Sequence, residues 1–205
     1  MIDALNRAAR KVPTWAVFVL GLLPIPYLFY RAATGGLGVE PITALEREMG
    51  LWTLQLIIAG LCITPLRRFA GVNLIKFRRT LGVLSFVYVV VHLGIWVGLD
   101  MSLRWGQMWA DILKRPYITI GMVAFVLMIP LAVTSNNLSI RKMGGAAWRK
   151  MHKAVYAIAL LGAAHFIMVQ KVWEAEPLIY LAVILGLLAL RARPLQKTSG
   201  VRAGG

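Results

Sequence analysis

The stretch WRKMHKAVYAIALLGAAHFIMVQ, residues 148–170, decides the fold class of this chain. It begins with a basic run and then stays apolar up to Gln170, long enough to cross a bilayer because an α-helix rises ~1.5 Å per residue. Two of the three histidines in the chain lie within it, His152 at the basic end and His165 well inside. An ionisable side chain inside a membrane span costs free energy and usually faces a partner or a cofactor. The stretch therefore predicts a membrane-spanning helix that carries a functional histidine.

The rest of the chain has the same character. Of its 205 residues, 59% are hydrophobic and only 15% are charged, and long apolar runs alternate with short charged loops. This composition excludes a soluble domain and indicates an all-α polytopic membrane protein. The first apolar run is too long for a usual signal peptide, so we expect it to remain as a helix. Pro24, Pro26 and Pro130 are expected to kink the helices that contain them. A single domain, residues 1–205, is predicted to contain six membrane-spanning helices, at about 12–30, 51–66, 80–99, 117–134, 152–170 and 177–192.

The distribution of charge predicts how these helices are oriented. Seventeen of the 23 lysines and arginines lie in the N-terminal segment, in 67–79, in 141–153 and in the C-terminal tail from Arg191 onward. The three other loops contain the remaining six, together with seven of the eight acidic residues. Because cytoplasmic loops carry the excess of Lys and Arg, both termini are predicted to face the cytoplasm. The net charge of +15 is therefore interpreted as a topology signal, and no nucleic-acid partner is expected.

Two histidines are predicted to lie at the same depth on two parallel helices. His92 is 13 residues beyond Arg79, and His165 is 12 residues beyond Lys153, so both lie about 18–20 Å from the basic end of their helices. Such a pair can clamp a flat cofactor from both faces, as bis-histidine haem ligation requires, and the iron then transfers electrons without an open oxygen site. The alternative for each histidine alone is a satisfied residue of the helix bundle.

The neighbours of the pair support this interpretation moderately. Gly162, Ala163 and Ala164 would leave room for a porphyrin beside His165, although close helix packing also uses small residues. On the third helix, four residues follow helical spacing along one face: Ser85, Tyr88, His92 and Trp96. Such a pattern is more often core packing than a cofactor site, so only His92 is assigned to a site.

His152 stands apart from the pair. It lies 13 residues before His165, which on a continuous helix rotates it by about 140° from that face. Its counterparts on the third helix are Arg78 and Arg79, so a second bis-histidine site is incomplete. His152 could ligate a second haem with an unusual partner, line a quinone or flavin site, or be an interfacial histidine. We expect five residues to cluster at the cytoplasmic helix ends, here called the basic rim: Arg78, Arg79, Arg149, Lys150 and His152. This cluster would suit a flavin phosphate or a haem propionate, or it would only set the topology.

Short motifs along the chain resemble those of the MsrQ (YedZ-type) family, the haem-binding membrane subunits of the periplasmic methionine sulfoxide reductase system. The motifs span nearly the whole chain in one order: GGLGVEP at 35–41, ITPLRR at 63–68, RRTLG at 78–82, VHL at 91–93, KRPYITIG at 114–121, TS at 134–135 and WRKMHKAVY at 148–156, followed by His165. The family looks like a minimal ferric-reductase-type transmembrane domain, related to that of NADPH oxidases, without their fused flavin and nicotinamide domain.

The resemblance implies an electron-transfer subunit in the bacterial inner membrane, with no sulfoxide-reducing activity of its own. Members take electrons from the quinone pool and pass them through haem b to a periplasmic molybdenum-containing subunit, which reduces methionine sulfoxide in oxidised envelope proteins. A bound FMN is also attributed to the family. The family's histidines map onto His92, His152 and His165, whereas the four-histidine pattern of NADPH oxidases is not met.

Three other functions are compatible with parts of this sequence. A free-standing ferric or oxygen reductase would use the same haem, so only its electron acceptor would distinguish it. A transporter with histidine proton relays would also be expected to place Asp or Glu within the membrane, whereas the acids here lie in loops or near the ends of spans. A structural anchor would explain neither the depth nor the pairing of the histidines.

Overall fold

The computed structural model describes residues 1–170, 172 and 174–192. Lys171 and the tail from Arg193 onward, which enter the charge count, lie outside the described residues. The described part of the chain contains helices and turns and no strand. Its α-helices are α1 (Ile2–Lys11), α2 (Thr14–Leu22), α3 (Pro24–Ala33), α4 (Pro41–Phe69), α5 (Arg78–Ile95), α6 (Trp105–Lys114), α7 (Pro116–Val133), α8 (Asn137–Met143), α9 (Gly145–Met151), α10 (Ala154–Val169) and α11 (Ala175–Ala192).

Among the described residues, six segments are long and apolar enough to cross a membrane, which confirms the predicted all-α, six-span architecture. A 3₁₀ turn (Ile75–Phe77) precedes α5 and a π-helical turn (Trp96–Asp100) extends it. The first span breaks at Leu23, as expected from the prolines that follow. Proline interrupts a helix because it lacks an N–H, and it is favoured at the first position of a new helix. The six spans are Thr14–Ala33, Pro41–Phe69, Ile75–Asp100, Pro116–Val133, Gly145–Val169 and Ala175–Ala192.

The second span is longer than the sequence predicted. We expected 51–66, whereas α4 runs for 29 residues from Pro41 and passes through Pro65. Because Pro65 has no N–H, the carbonyl of Leu61 loses its helical partner. Arg191 of α11 replaces that partner: its Nη2 and Nε lie 2.7 and 3.1 Å from the Leu61 oxygen. Arg191 therefore ties α11 to α4.

A further helix occupies the loop predicted at 100–115. The α6 helix packs against α7 and buries Met108 and Asp111, whereas its opposite face exposes 62% of Trp105, 66% of Trp109 and 82% of Leu113. These three residues recur every four positions, so they form one apolar face. An exposed face with two tryptophans is typical of a helix lying in the membrane interface.

The spans pack as two pairs, α4 with α5 and α7 with α10, and α11 lies against α4 and α10. Ala159 and Ala163 of α10 are fully buried and allow the close helix approach that membrane bundles use. The main core cluster joins four of these helices; it consists of Leu54, Ile57, Leu61, Met128, Ile158, Ala159, Ala163 and Ile184. A second cluster joins α3, α4 and α5 and consists of Leu28, Leu45, Met49, Tyr88 and Ile95.

Contacts between loops define a basic end of the bundle. The Asn6 side chain donates to the Gly71 carbonyl (3.0 Å) and accepts from the Asn73 amide (2.8 Å), and Lys76 Nζ donates to the Arg10 carbonyl (2.9 Å). The N-terminal segment and the 67–79 loop, two of the four basic segments, therefore lie together. At the other end of α4, here called the acidic end, Arg47 pairs with Glu174 and Glu176 at 3.2 and 3.0 Å.

Candidate functional site

His92 on α5 and His165 on α10 face each other. Their ring centroids are 6.2 Å apart, and the rings are nearly perpendicular, at 87°. A metal–imidazole bond is about 2 Å long and the nitrogen lies about 1 Å from the ring centre, so two imidazoles on one iron have centres about 6 Å apart. The structure thus brings the two predicted histidines to the separation that one haem iron between them requires.

Both imidazoles are held in the same tautomer. His92 Nδ1 lies 2.9 Å from the carbonyl oxygen of Glu46, and His165 Nδ1 lies 2.7 Å from that of Tyr117. Because a carbonyl only accepts, each Nδ1 carries the hydrogen and donates it, which leaves the lone pair on Nε2. In the described part of the chain no hydrogen bond engages either Nε2. A backbone carbonyl on one ring nitrogen is the usual support for a histidine whose other nitrogen binds a metal.

A cavity of about 560 Å³ lies between α4, α5, α7 and α10, and both histidines line it. This volume is within the range of about 300–1,000 Å³ of cofactor pockets. Gly162 also lines the cavity, whereas Ala163, predicted with it to make room beside His165, belongs to the core cluster. Much of the wall is apolar and includes Leu54, Ile57, Val89, Phe125, Met128 and Ile158.

The cavity becomes polar toward the acidic end. Arg115 bonds the Asp111 carboxylate (3.2 Å) and the Tyr117 hydroxyl (3.1 Å). Glu46 was not predicted as part of the site, because the sequence placed the start of its helix after it. The signal that could have found it is the proline at 41, which can begin a helix at its first position. The polar lining includes Thr43, Glu46, Arg47, Asp100, Arg115 and Glu174.

The remaining members of the third-helix pattern divide between core and cavity. The Tyr88 hydroxyl donates to the Gly21 carbonyl (2.7 Å), and its buried ring stacks on Trp52. Ser85 is buried and bonds the Gly82 carbonyl within its own helix. Trp96, by contrast, lines the cavity. The pattern is therefore a packing face that reaches the cavity only at its acidic end.

His152 lies at a break between α9 and α10, where the chain turns at His152 and Lys153. The rotation of about 140° expected from a continuous helix therefore does not apply. The His152 ring stacks on Trp148 at a centroid distance of 3.9 Å, and its Nε2 lies 3.0 Å from the Thr134 hydroxyl. Trp148 Nε1 donates to the Thr134 carbonyl at 2.9 Å, so the TS and WRKMH motifs meet in one cluster.

The arginines of the basic rim are more dispersed. Arg78 donates to the Thr64 hydroxyl. Arg79 and Arg149 are exposed. Within the described residues, no hydrogen bond or ring contact joins His152 to any of these arginines, so a shared ligand at the rim stays a prediction.

The comparisons with known proteins agree with the motifs. The family described as "Ferric reductase like transmembrane component" matches residues 48–163, which include His92 and His152 and end two residues before His165. The protein of Agrobacterium fabrum named "Protein-methionine-sulfoxide reductase heme-binding subunit MsrQ" is 41% identical over 93% of this chain and 88% of its own length.

Proteins of the same name from Brucella ovis and Brucella suis are each 45% identical over 97% of this chain and 93% of their own length. No solved structure matches the chain significantly. Identity at this level over nearly the full length confirms the resemblance seen in the motifs. The chain therefore belongs to the MsrQ family, with a transmembrane region of the ferric-reductase-like class.

Proposed function

We propose that this protein is the haem b electron-transfer subunit of a protein-methionine-sulfoxide reductase, with His92 and His165 as the axial ligands of the iron. The observation that carries the proposal is the pair of facing imidazoles, 6.2 Å apart, each with its Nδ1 bonded to a carbonyl. A haem bound there supplies one-electron transfer without an open coordination position.

The residues around the pair have separate tasks in this proposal. The carbonyls of Glu46 and Tyr117 fix the tautomer and the direction of the two rings. The apolar wall excludes water from the ligands. Arg47 and Arg115 line the polar end of the cavity, where their positive charge is offset by ion pairs, Arg47 with Glu174 and Glu176 and Arg115 with Asp111.

The direction of electron flow follows from the proposed topology. Both termini and the basic end face the cytoplasm of a bacterial inner membrane, because that end carries most of the Lys and Arg. Electrons from quinol enter at the basic rim, where His152, Arg78, Arg79 and Arg149 also offer a site for FMN. They leave at the acidic end, to a periplasmic molybdenum-containing subunit that reduces methionine sulfoxide.

The proposal is tested on the purified full-length protein by a reduced-minus-oxidised spectrum together with haem and flavin stoichiometry. We expect a bis-histidine b-type spectrum with at least one haem per chain. Preparations without haem, or with a five-coordinate high-spin haem only, would contradict the ligand assignment.

A second function, that of a free-standing ferric or oxygen reductase, is favoured by the ferric-reductase-like family match. The two differ only in the acceptor. The reduced protein should be reoxidised quickly by the periplasmic partner and slowly by Fe(III) chelates or oxygen. Fast reoxidation by the chelates alone would favour the second function.

A further inference from the structure

Each of the two histidines bonds a backbone carbonyl of a neighbouring helix, and the arrangement around that carbonyl, here called the seat of the histidine, is the same in both cases. His92 donates to the carbonyl of Glu46 on α4, and the residue four positions later is Gly50. His165 donates to the carbonyl of Tyr117 on α7, and the residue four positions later is Gly121. The repetition involves different helices and different sequences, so it points to a common physical requirement.

Helix geometry supplies that requirement. In an α-helix the carbonyl of residue i faces the amide of residue i+4, and the Cβ of residue i+4 tilts toward the N-terminus, beside that carbonyl. The carbonyl retains a second lone pair that an outside donor can use. A side chain at i+4 would stand where the donor approaches, so a glycine there opens the carbonyl to a flat imidazole.

The distances indicate how tight each seat is. A Cβ placed on Gly121 would lie 2.9 Å from His165 Nδ1 and 3.0 Å from its Cε1. A Cβ on Gly50 would lie 3.2 Å from His92 Cε1 and 3.3 Å from its Nδ1. Ordinary van der Waals contacts begin at 3.4 Å. In both seats the nearest atoms belong to the imidazole itself, so alanine could be accommodated only by moving the ring.

We infer that Gly50 and Gly121 are positioning residues for the haem ligands, since each lets one imidazole reach the carbonyl that fixes its tautomer and aims its Nε2 at the iron. The inference rests on the proposed function for the role of His92 and His165. It predicts that alanine at either glycine disturbs ligation although alanine is the better helix former.

Two other helical glycines provide matched controls. Gly60 lies on α4, as Gly50 does, and Gly82 lies on α5, as His92 does. A Cβ at either position meets no atom within 4 Å outside its own helix turn. Replacing them with alanine changes helix propensity in the same way without touching a histidine.

The experiment compares Gly50→Ala, Gly121→Ala, Gly60→Ala and Gly82→Ala in the full-length protein, purified in detergent. Haem affinity, the low-spin signal in electron paramagnetic resonance and the midpoint potential are measured for each. We expect Gly121→Ala to lower haem affinity by about 10-fold or more, the scale of lost support for a metal ligand. Gly50→Ala should have a smaller effect in the same direction, with altered low-spin g-values, and both controls should match the wild type.

The double variant Gly121→Ala, His165→Ala tests whether the glycine acts through the histidine. Haem content cannot decide this, because His165→Ala alone is expected to deplete the haem, so the readout is the thermal stability of the haem-free protein. Gly121→Ala should lower that stability when His165 is present and should not lower it in the His165→Ala background, because the added Cβ then has no ring to meet. If Gly121→Ala does not fold, the looser Gly50→Ala with His92→Ala decides in the same way.

Wild-type affinity, g-values and potential in both glycine variants would overturn the inference, and so would equal losses in the Gly60 and Gly82 controls. The proposed function fails separately. If His92→Ala and His165→Ala keep the low-spin haem, the ligand assignment is wrong, and Gly50 and Gly121 then position no haem ligand. If those variants lose the haem while the glycine variants keep it, only the inference is wrong.

Discussion

At the scale of single residues, the proposed haem site depends on two imidazoles that must act together. His92→Ala or His165→Ala should each abolish or severely deplete the haem between them, because one missing ligand leaves five-coordinate iron in an apolar cavity. The measurement is haem per chain together with the low-spin absorption spectrum. Ser85→Ala is a suitable control, since Ser85 lies on the same helix as His92 but bonds only within that helix. A wild-type spectrum in either histidine variant would disprove the pairing.

In the proposed electron path, His152 lies at the entry side, away from the histidine pair. It is held by Trp148 and Thr134 at the basic end, so His152→Ala should slow reduction by quinol or flavin while the haem between His92 and His165 remains. The test measures the rate of haem reduction with each donor beside the haem content. Unchanged rates would remove His152 from the path.

The arginines of the basic rim make a separate prediction. Replacing Arg78 and Arg149 together by Glu should weaken any bound flavin, because a phosphate is held by positive charge and bidentate hydrogen bonds. Flavin per chain is the measurement. Lys142→Glu is the matched control, because Lys142 is exposed in the same basic loop as Arg149. If the control lowers flavin content equally, the arginines of the rim act only through the overall positive charge of this end of the bundle.

At the scale of helices, Arg191 connects α11 to the carbonyl that Pro65 leaves free in α4. Arg191→Leu should lower the stability of the detergent-purified protein by about 1–2 kcal/mol, because a buried carbonyl then lacks a donor. Thermal unfolding measures this change. In a Pro65→Ala background, where an N–H again reaches Leu61, Arg191→Leu should cost less. An equal cost in both backgrounds would show that Arg191 stabilises the protein through its other contacts, with the Gly60 carbonyl and with Tyr156.

The helices also show what sequence reasoning can and cannot predict. Apolar length predicted the spans, and counting residues from the basic ends predicted that His92 and His165 meet, because rise per residue is nearly constant along a helix. Residues 41–50 were not recognised as helix, since their charges lower the apolar signal of a span that in fact continues through them. The role of the Glu46 and Tyr117 carbonyls as hydrogen-bond acceptors could not be predicted. Every residue has a backbone carbonyl, and side-chain patterns do not indicate which carbonyl accepts a hydrogen bond from a histidine.

At the scale of the whole molecule, charge and site are arranged along one axis. The basic end holds α1, the 67–79 loop and the cluster of His152, and the acidic end holds the polar part of the cavity. The histidine pair lies on the acidic side of the bundle, one turn from the π-helical end of α5. This asymmetry is what a protein needs if it receives electrons on one face of a membrane and delivers them on the other.

The orientation of that axis is the last prediction. The uneven partition of Lys and Arg predicts a cytoplasmic basic end, and the contact of α1 with the 67–79 loop is consistent with it, because it places two basic segments on one side. A reporter fused after Arg193, outside the described residues, should be active only as a cytoplasmic fusion. A reporter inserted between Asp100 and Trp105, ahead of α6, should be active only as a periplasmic one. An insertion at Gly144, exposed between α8 and α9, should behave like the C-terminal fusion and serves as the internal control. The opposite pattern would place the histidine pair nearer the cytoplasm, reverse the electron path and exclude the proposed periplasmic partner.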